Sequence, residues 1–417
     1  MDIFKFGGAS VKDAASIKNV FQVLQKTGTS DKVLVISAMG KITNALENVI
    51  AAYLQTEKIP VEEITEIHLY HKKIALELFG NDQFPVFKKI EGLFKEMLNF
   101  MKHNKSVQYD FVYDQIVCFG ELLSTTIVSE FLTFNNVSHT WIDARNLVKT
   151  DNVYRDAGVD WATTQEKITS EIKKDKLYLT QGFIGSDPNN FTTSLGREGS
   201  DYTAAIFAYC LNAEKVTIWK DVPGVLNADP RVFQGAQLLH QISYEEAIEL
   251  AFYGASVIHP KTLQPLQRKE IPLYVRSFLQ PEEAGTAVSK GQVLSPKIPC
   301  FIVKKNQVLI SLSSLDFSFM VEENISEIFR LFHQYQIKVD LIQNSAISFS
   351  VCVDNRFNNL EKLIQHLKAR FKVAHQMGVS LYTIRHFDDE AIQTLEKDKR
   401  VLLKQVTQNT VQIVTAD

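Results

Sequence analysis

The sequence has little of what staples, anchors or strongly charges a protein. Its 417 residues include four cysteines, Cys118, Cys210, Cys300 and Cys352. No two lie close enough for a zinc site or a redox pair, and a chain this long buries a large core without bridges. They read as buried thiols of a reducing compartment. No run approaches the 18 or more apolar residues of a membrane span. The N-terminus carries Lys5 and paired glycines where a secretory leader needs an unbroken apolar stretch. Charge of one sign is also missing: 45 Lys and Arg against 48 Asp and Glu leave −3. That excludes the basic field of a nucleic-acid binder and any acidic tail. A cytoplasmic protein of two or three domains is expected, with neither nucleic acid nor membrane as partner.

Short apolar segments alternate with helical patterns through the first two thirds. Ile3–Phe6, Val33–Ser37, Thr140–Asp143, Leu177–Thr180, Val216–Trp219 and Leu273–Val275 read as strands. Phe84–Met101 is the clearest helix, with Phe87, Ile90, Phe94, Met97 and Met101 at three- and four-residue steps. This alternation predicts an α/β fold, a mostly parallel sheet sandwiched by helices, with any ligand at the carboxyl ends of the strands. Pro281, Gly285, Gly291, Pro296 and Pro299 then break both periods. The expected layout is a first domain over 1–280, a linker over 281–299 and a second region over 300–417. In that last region the predicted strands are Val308–Leu312, Val339–Ile342, Ile347–Val353, Ser380–Arg385, Val401–Lys404 and Thr410–Val414. Helices are expected at Glu323–Tyr335, Phe357–Arg370 and Asp388–Lys397, in two small βαββ-like units rather than one large sheet.

Chemistry-bearing residues cluster where strands meet helices. Lys5-Phe6-Gly7-Gly8-Ala9-Ser10 ends the first strand. Its glycines let backbone amides approach an anion and its lysine can neutralise phosphate, although taken alone a tight turn with a solvated lysine fits better. The Walker pattern GxxxxGK[ST] does not occur. Ser194-Leu195-Gly196-Arg197-Glu198-Gly199-Ser200-Asp201 opens a helix and suits carboxylate recognition, or a plain N-cap by Ser200 or Asp201. Lys220-Asp221-Val222-Pro223-Gly224, running on to Asp229-Pro230-Arg231, fits a nucleotide loop or a surface turn. Glu121, in Phe119–Ser124, suits a substrate ammonium or a solvated helix face. His68 and His71 lie on a polar helix, with no third metal ligand nearby.

Together these segments resemble the aspartate kinases (aspartokinases) of the amino-acid kinase family. Lys5–Ser10 resembles that family's opening loop, Ser37–Leu46 its substrate loop, and Phe119–Ser124 its glutamate-bearing helix. Gln181–Gly185, Thr192–Ala205, Asp221–Arg231 and Gly254–Thr262 follow in the family's order. The region after the linker is similar to paired ACT regulatory units, with no room for a fused homoserine dehydrogenase, so a monofunctional enzyme is expected.

The resemblance implies phosphorylation of L-aspartate on its side-chain carboxylate by ATP with Mg²⁺, the first step toward lysine, threonine and methionine. It assigns Lys5 and Asp201 to catalysis, with Asp201 also helping to organise the metal. It assigns Gly7, Gly8, Ser10, Asp221 and Arg231, with Lys5, to the nucleotide. Ser37, Ala38, Thr43, Glu121, Phe183, Arg197 and Ser200 would take aspartate. Val339, Asp340 and Ser345 would take an amino-acid effector, lysine or threonine, and the ACT units would pair in a homodimer.

The chain departs from the family pattern at Ala9, at Glu198 (usually glycine), at Lys220 and Leu226 (usually threonine and tyrosine), and at Ser256, where many members carry a lysine. Glu323-Asn324-Ile325 also replaces a glycine-led loop before the effector segment, which predicts weak lysine binding, another effector or none. The competing reading is a catalytically weak sensor that binds amino acids through the ACT pair. Glutamate 5-kinase and acetylglutamate kinase share the fold but are not expected to carry this tail.

Overall fold

The computed structural model describes residues 1–255, 258–316, 318–355 and 359–416. The chain divides into two compact units. The first comprises residues 1–225, 238–248 and 257–294; the second comprises 226–237, 249–256 and 295–417.

The first unit is built on strands β1 (Asp2–Phe6), β2 (Lys32–Ile36), β3 (Thr140–Ile142), β4 (Leu177–Gln181), the short pair β5 (Ile184–Ser186) and β6 (Thr192–Ser194), then β7 (Lys215–Lys220), β8 (Gln241–Ser243), β9 (Leu273–Ser277) and β10 (Thr286–Ser289). Eight of them form one sheet in the order β3-β4-β2-β1-β7-β9-β10-β8. β1 pairs in parallel with β2 and β7, and β2 with β4; only the β9–β10 pair in this sheet is antiparallel. All five residues of β2 and of β4 are buried. That pattern suits a parallel sheet covered on both faces and explains why these segments read as continuous apolar runs.

The helix predicted over Phe84–Met101 spans Pro85–His103. Pro85 starts it, where no backbone donor is needed, and all five periodic residues are buried. A 26-residue helix, Tyr109–Phe134, is long and apolar enough to cross a membrane, which counting unbroken runs did not reveal. However, 78% of its most apolar window is buried inside the protein, so it is a core helix. The helix Val61–Phe79 is less polar than its sequence suggests: His71 is fully buried and bonded through Nδ1 to Ile67 O, and burial pulls its pKa down to about 4. His68 pairs with Glu91 at 3.0 Å. Among the described residues no three side chains gather as metal ligands. All four cysteines are buried thiols.

In the second unit the strands are β11 (Cys300–Ser314), β12 (Lys338–Asn344), β13 (Ser348–Asp354), β14 (Phe371–Arg385), β15 (Arg400–Val406) and β16 (Thr410–Ala416). The expected separation into two small sheets does not hold. All six strands form one sheet, β12-β13-β11-β14-β16-β15, because β11 and β14 each run fifteen residues and pair along their length.

The two-unit organisation survives inside that sheet. The pairing shifts register between Lys304 and Val308, and each half carries its own helices and core. Ile310, Leu312, Phe349 and Val351 pack with helices Glu322–Gln334 and Leu360–Lys368. Ile384, Val411 and Ile413 pack with Ala391 and Leu395 of Asp389–Glu396. These are two ACT-like α+β units sharing two long strands. Residues 357 and 358 of the expected helix Phe357–Arg370 lie outside the described residues.

Candidate active site

Four adjacent parallel strands, β4, β2, β1 and β7, end at one edge of the first sheet, and most of the predicted residues sit just beyond them. β2 flanks β1 on one side and β7 on the other. A crevice at the carboxyl ends of such strands is where open α/β sheets bind ligands.

The loops after β1 and β2 lie back to back. Gly40 N donates to Gly8 O at 3.0 Å and Ser37 N to Phe6 O at 3.1 Å. A Cβ on Gly8 would meet Gly40 O at 2.8 Å and Ala38 O at 2.9 Å, so only glycine allows this approach. Gly7 stands in extended backbone ahead of a short 3-10 turn, Gly8–Val11, and the helix Ala14–Thr27 follows, capped by Asp13. Ser10 is wholly buried, its Oγ 3.4 Å from Trp219 O; the hydroxyl braces β7.

The helix Gly199–Leu211 brings Ser200 and Asp201 against the same strand ends. A Cβ on Gly182 would meet Ser200 Cβ at 2.5 Å, and Phe183 N donates to Thr203 Oγ1 at 2.9 Å. The N-cap is Glu198, not Ser200 or Asp201 as the simpler sequence reading had it. Glu198 sits at φ +54°, in the left-handed region that favours glycine. Asp201 is buried, and Lys5 Nζ lies 2.6 Å from its Oδ1 and Lys220 Nζ 3.8 Å from Oδ2. Burial alone would raise the Asp201 pKa, but the two ammoniums outweigh it and hold the carboxyl below its usual range.

Glu121 lies mid-helix in Tyr109–Phe134 and is 2% exposed. Its Oε1 accepts a hydrogen bond from Ala38 N at 3.2 Å, while its buried Oε2 has no hydrogen-bond partner among the described residues. Burial pushes its pKa up to about 8, against the pull of the Ala38 amide. An uncompensated buried acceptor is costly unless a cation reaches it. Ser124, one turn on, donates to Ser37 O at 2.7 Å and fixes that loop. Thr43, half-buried, is the second residue of the helix Ile42–Thr56.

Arg197 is exposed, with no bond or ion pair to its side chain among the described residues. Its loop is braced by groups that the sequence reading missed. Asp114, fully buried two turns before Glu121 on the same helix, accepts from Ser194 N at 2.8 Å, from Arg155 N at 3.0 Å and from Ser194 Oγ. Burial raises its pKa to about 6 even so. Lys261 donates to Leu195 O at 3.0 Å and to Asp156 at 2.6 Å. The seven-residue spacing of Asp114 from Glu121, which puts both on one helix face, was the available signal.

Two nucleotide candidates stand differently. Asp221 is exposed just beyond β7. Arg231 belongs to the second unit, where it is exposed and clasps its own neighbour Asp229 at 2.7 Å. Ser256 lies outside the described residues. Also in the second unit, Val339 and Asp340 lie on β12, and Ser345 follows it, bonded to Ser348 Oγ at 2.6 Å. Asp340 is already paired with Lys304 at 2.8 Å and Lys338 at 3.3 Å. Glu323 and Asn324 fall in the first turn of Glu322–Gln334, where Asn324 accepts from Val321 N at 3.1 Å.

Residues 3–277 match the amino acid kinase family. The chain is 31% identical over 396 residues to lysine-sensitive aspartokinase 3 of Escherichia coli (strain K12), covering 92% of this chain and 86% of that one. The structure resembles Escherichia coli aspartokinase III solved with aspartate and ADP (TM-score 0.80, 28% identity, covering 100% and 96% of the two chains). It also resembles the same enzyme solved with lysine and aspartate (TM-score 0.81, 28% identity, 99% and 95%).

Proposed function

For a chain that belongs to the amino acid kinase family and, within it, to the aspartokinases, we propose ATP-dependent phosphorylation of the side-chain carboxylate of L-aspartate, yielding 4-phospho-L-aspartate. This is the committing step toward lysine, threonine and methionine. The observation that carries the reading is the convergence, on neighbouring strand ends, of the buried Lys5–Asp201 pair with a buried carboxylate, Glu121, whose second oxygen awaits a cation.

The chemistry asks for positioning and charge rather than a base. The attacking carboxylate is ionised at neutral pH, and the transferred group spreads negative charge over its oxygens. Lys5 neutralises that charge, while Asp201, 2.6 Å away, holds and aims its ammonium. Gly7, Gly8 and Ser10 shape the phosphate loop, with Asp221 and Arg231 as candidate nucleotide contacts. Glu121 takes the α-ammonium of aspartate and Arg197 a carboxylate. Ser37, Ala38, Thr43, Phe183 and Ser200 line the pocket.

Magnesium arrives with ATP as part of the substrate. Both oxygens of Asp201 already face lysines, so its role is to orient them rather than to ligate the metal.

The second unit serves regulation by an amino acid. A lysine ligand must compete with Lys304 and Lys338 for Asp340, which favours a weak lysine response or a different effector such as threonine. Domains over 1–280 and 300–417, pairing of the regulatory units in a homodimer and a cytoplasmic setting complete the reading.

The test is hydroxamate trapping of the acyl phosphate with ATP, Mg²⁺ and L-aspartate, repeated with N-acetyl-aspartate, L-glutamate, added lysine and added threonine. Product from aspartate alone supports the assignment. No product from folded protein would leave the amino-acid sensor as the better reading.

A further inference from the structure

The proposed reaction places one cation, Lys5, on the transferring phosphoryl group, and the register of the sheet sets a second lysine beside it. In the β1–β7 pair Lys5 lies level with Ile218 and Phe6 with Trp219. Side chains alternate along a strand, so Lys220 shares the face of Ile218 and Lys5, one pleat nearer the carboxyl ends. Its Nζ comes within 3.8 Å of Asp201 Oδ2, while Lys5 holds Oδ1 at 2.6 Å. The Lys5 side chain is 8% exposed and that of Lys220 is 20% exposed, so Lys220 is the more accessible of the two. One buried carboxylate therefore faces two ammoniums. A second acid, Glu198, is the exposed N-cap residue three positions before Asp201 and also hydrogen-bonds to it. Lys5 Nζ also lies against Gly7, and Lys220 ends β7, so both ammoniums stand at the strand ends where an anionic ligand would enter.

We propose that Lys220 is a further catalytic residue, its ammonium contacting phosphoryl oxygens of ATP alongside Lys5 and sharing the charge that develops during transfer. The inference rests on the phosphotransfer reading above. A carboxylate oxygen of aspartate bonds to the γ-phosphorus, the bond to the β–γ bridging oxygen breaks, and that oxygen leaves on ADP with the electron pair. Lys220 transfers nothing. Two departures from the family pattern, Glu198 and Lys220, thus adjoin one carboxylate.

The test uses the full chain carrying Lys220→Met or Lys220→Arg. The readouts are kcat, both KM values, and calorimetric binding of ATP with Mg²⁺ and of AMP. Lys220→Met should lower kcat roughly a hundredfold, the scale of losing one preorganised donor. It should also weaken ATP binding several-fold, while AMP binding and the KM for aspartate stay near wild type; Lys220→Arg should retain most of the rate. A Lys220→Met kcat within about threefold of wild type overturns the proposal, as does equal weakening of ATP and AMP, which would mark a structural role. If Lys220→Met does not fold, the Glu198→Gly/Lys220→Thr pair, which removes one charge of each sign, is read by the same criteria. A wild-type protein that phosphorylates no aspartate refutes the reaction instead, and the ATP-against-AMP comparison still decides the role of Lys220.

Discussion

Raising the pH from 6 to 8 should lower the KM for aspartate about fiftyfold and leave that for ATP nearly unchanged. The cause is Glu121. Burial lifts its pKa to about 8, well above its ordinary 4.5, and the Ala38 amide only partly offsets this. Oε2 has no hydrogen-bond partner among the described residues, so an incoming cation would stabilise the ionised form further. Aspartate, whose ammonium stays protonated through this range, binds the ionised carboxylate, and a proton on Glu121 competes with it. With a pKa of about 8 the competition multiplies KM by about 2 at pH 8, about 11 at pH 7 and about 100 at pH 6. The sign follows from the upward shift: protons win as pH falls, so affinity is lost toward acid. The assay is initial velocity by coupled ADP release at saturating ATP, across aspartate concentrations, from pH 6 to 8.5. Glu121→Gln removes the titrating group. Its KM should be raised about tenfold to a hundredfold, the worth of one charge-assisted bond, and should no longer vary with pH. A wild-type KM that is flat over this interval, or a Glu121→Gln profile with the wild-type slope, would refute the reasoning.

Three further outcomes are expected. Lys5→Ala should reduce kcat by roughly a hundred- to a thousandfold with little change in aspartate KM; near-normal turnover would remove Lys5 from the chemistry. Asp114→Ala strips the acceptor from three donors at Ser194 and Arg155 and should cost about 1–3 kcal/mol in denaturant unfolding, with aspartate KM rising more than ATP KM because the Arg197 loop loosens. Equal rises in both would argue against that route. Glu198→Gly relieves a left-handed residue at the N-cap and should stabilise the protein by about 0.5–1 kcal/mol, a gain that an unchanged unfolding midpoint would deny.

Much of the first unit was legible because its signals are local. Each of the six predicted strands has a counterpart in the sheet, since buried parallel strands announce themselves as short apolar runs between polar punctuation. The Lys5 loop, Glu121 and the Ser200–Asp201 helix start could be read for a similar reason, a charged residue beside glycine at a strand or helix end. What escaped depends on long-range pairing. Asp114 looks like any helical acid until β6 and the Arg155 loop come to it from 80 and 41 residues away. The proximity of Lys220 to Lys5 is a consequence of β1 choosing β7 as a neighbour, which no local pattern dictates. In the second unit the fifteen-residue spans of β11 and β14 were hidden by the irregularity at Lys304–Val308, where the alternation of buried and exposed residues breaks. The same apolar pattern therefore looked like the end of one small unit and the start of another.

On the proposed reading, one helix links two parts of substrate recognition. Asp114 and Glu121 are seven residues apart, two turns and about 10 Å along a rod that the core encases. Through Asp114 the rod grips Ser194, three residues ahead of Arg197; through Glu121 it presents the acceptor for an ammonium. The loop proposed to take a carboxylate and the group proposed to take the ammonium are thus indexed to one rigid element instead of to separate loops, which limits how far they can drift relative to each other. A ligand must then satisfy both at a fixed separation. An amino acid with a free α-ammonium can, whereas an N-acylated one leaves the Glu121 carboxylate buried and unpaired. That penalty, more than any extra attraction toward aspartate, is what should exclude the acylated substrate.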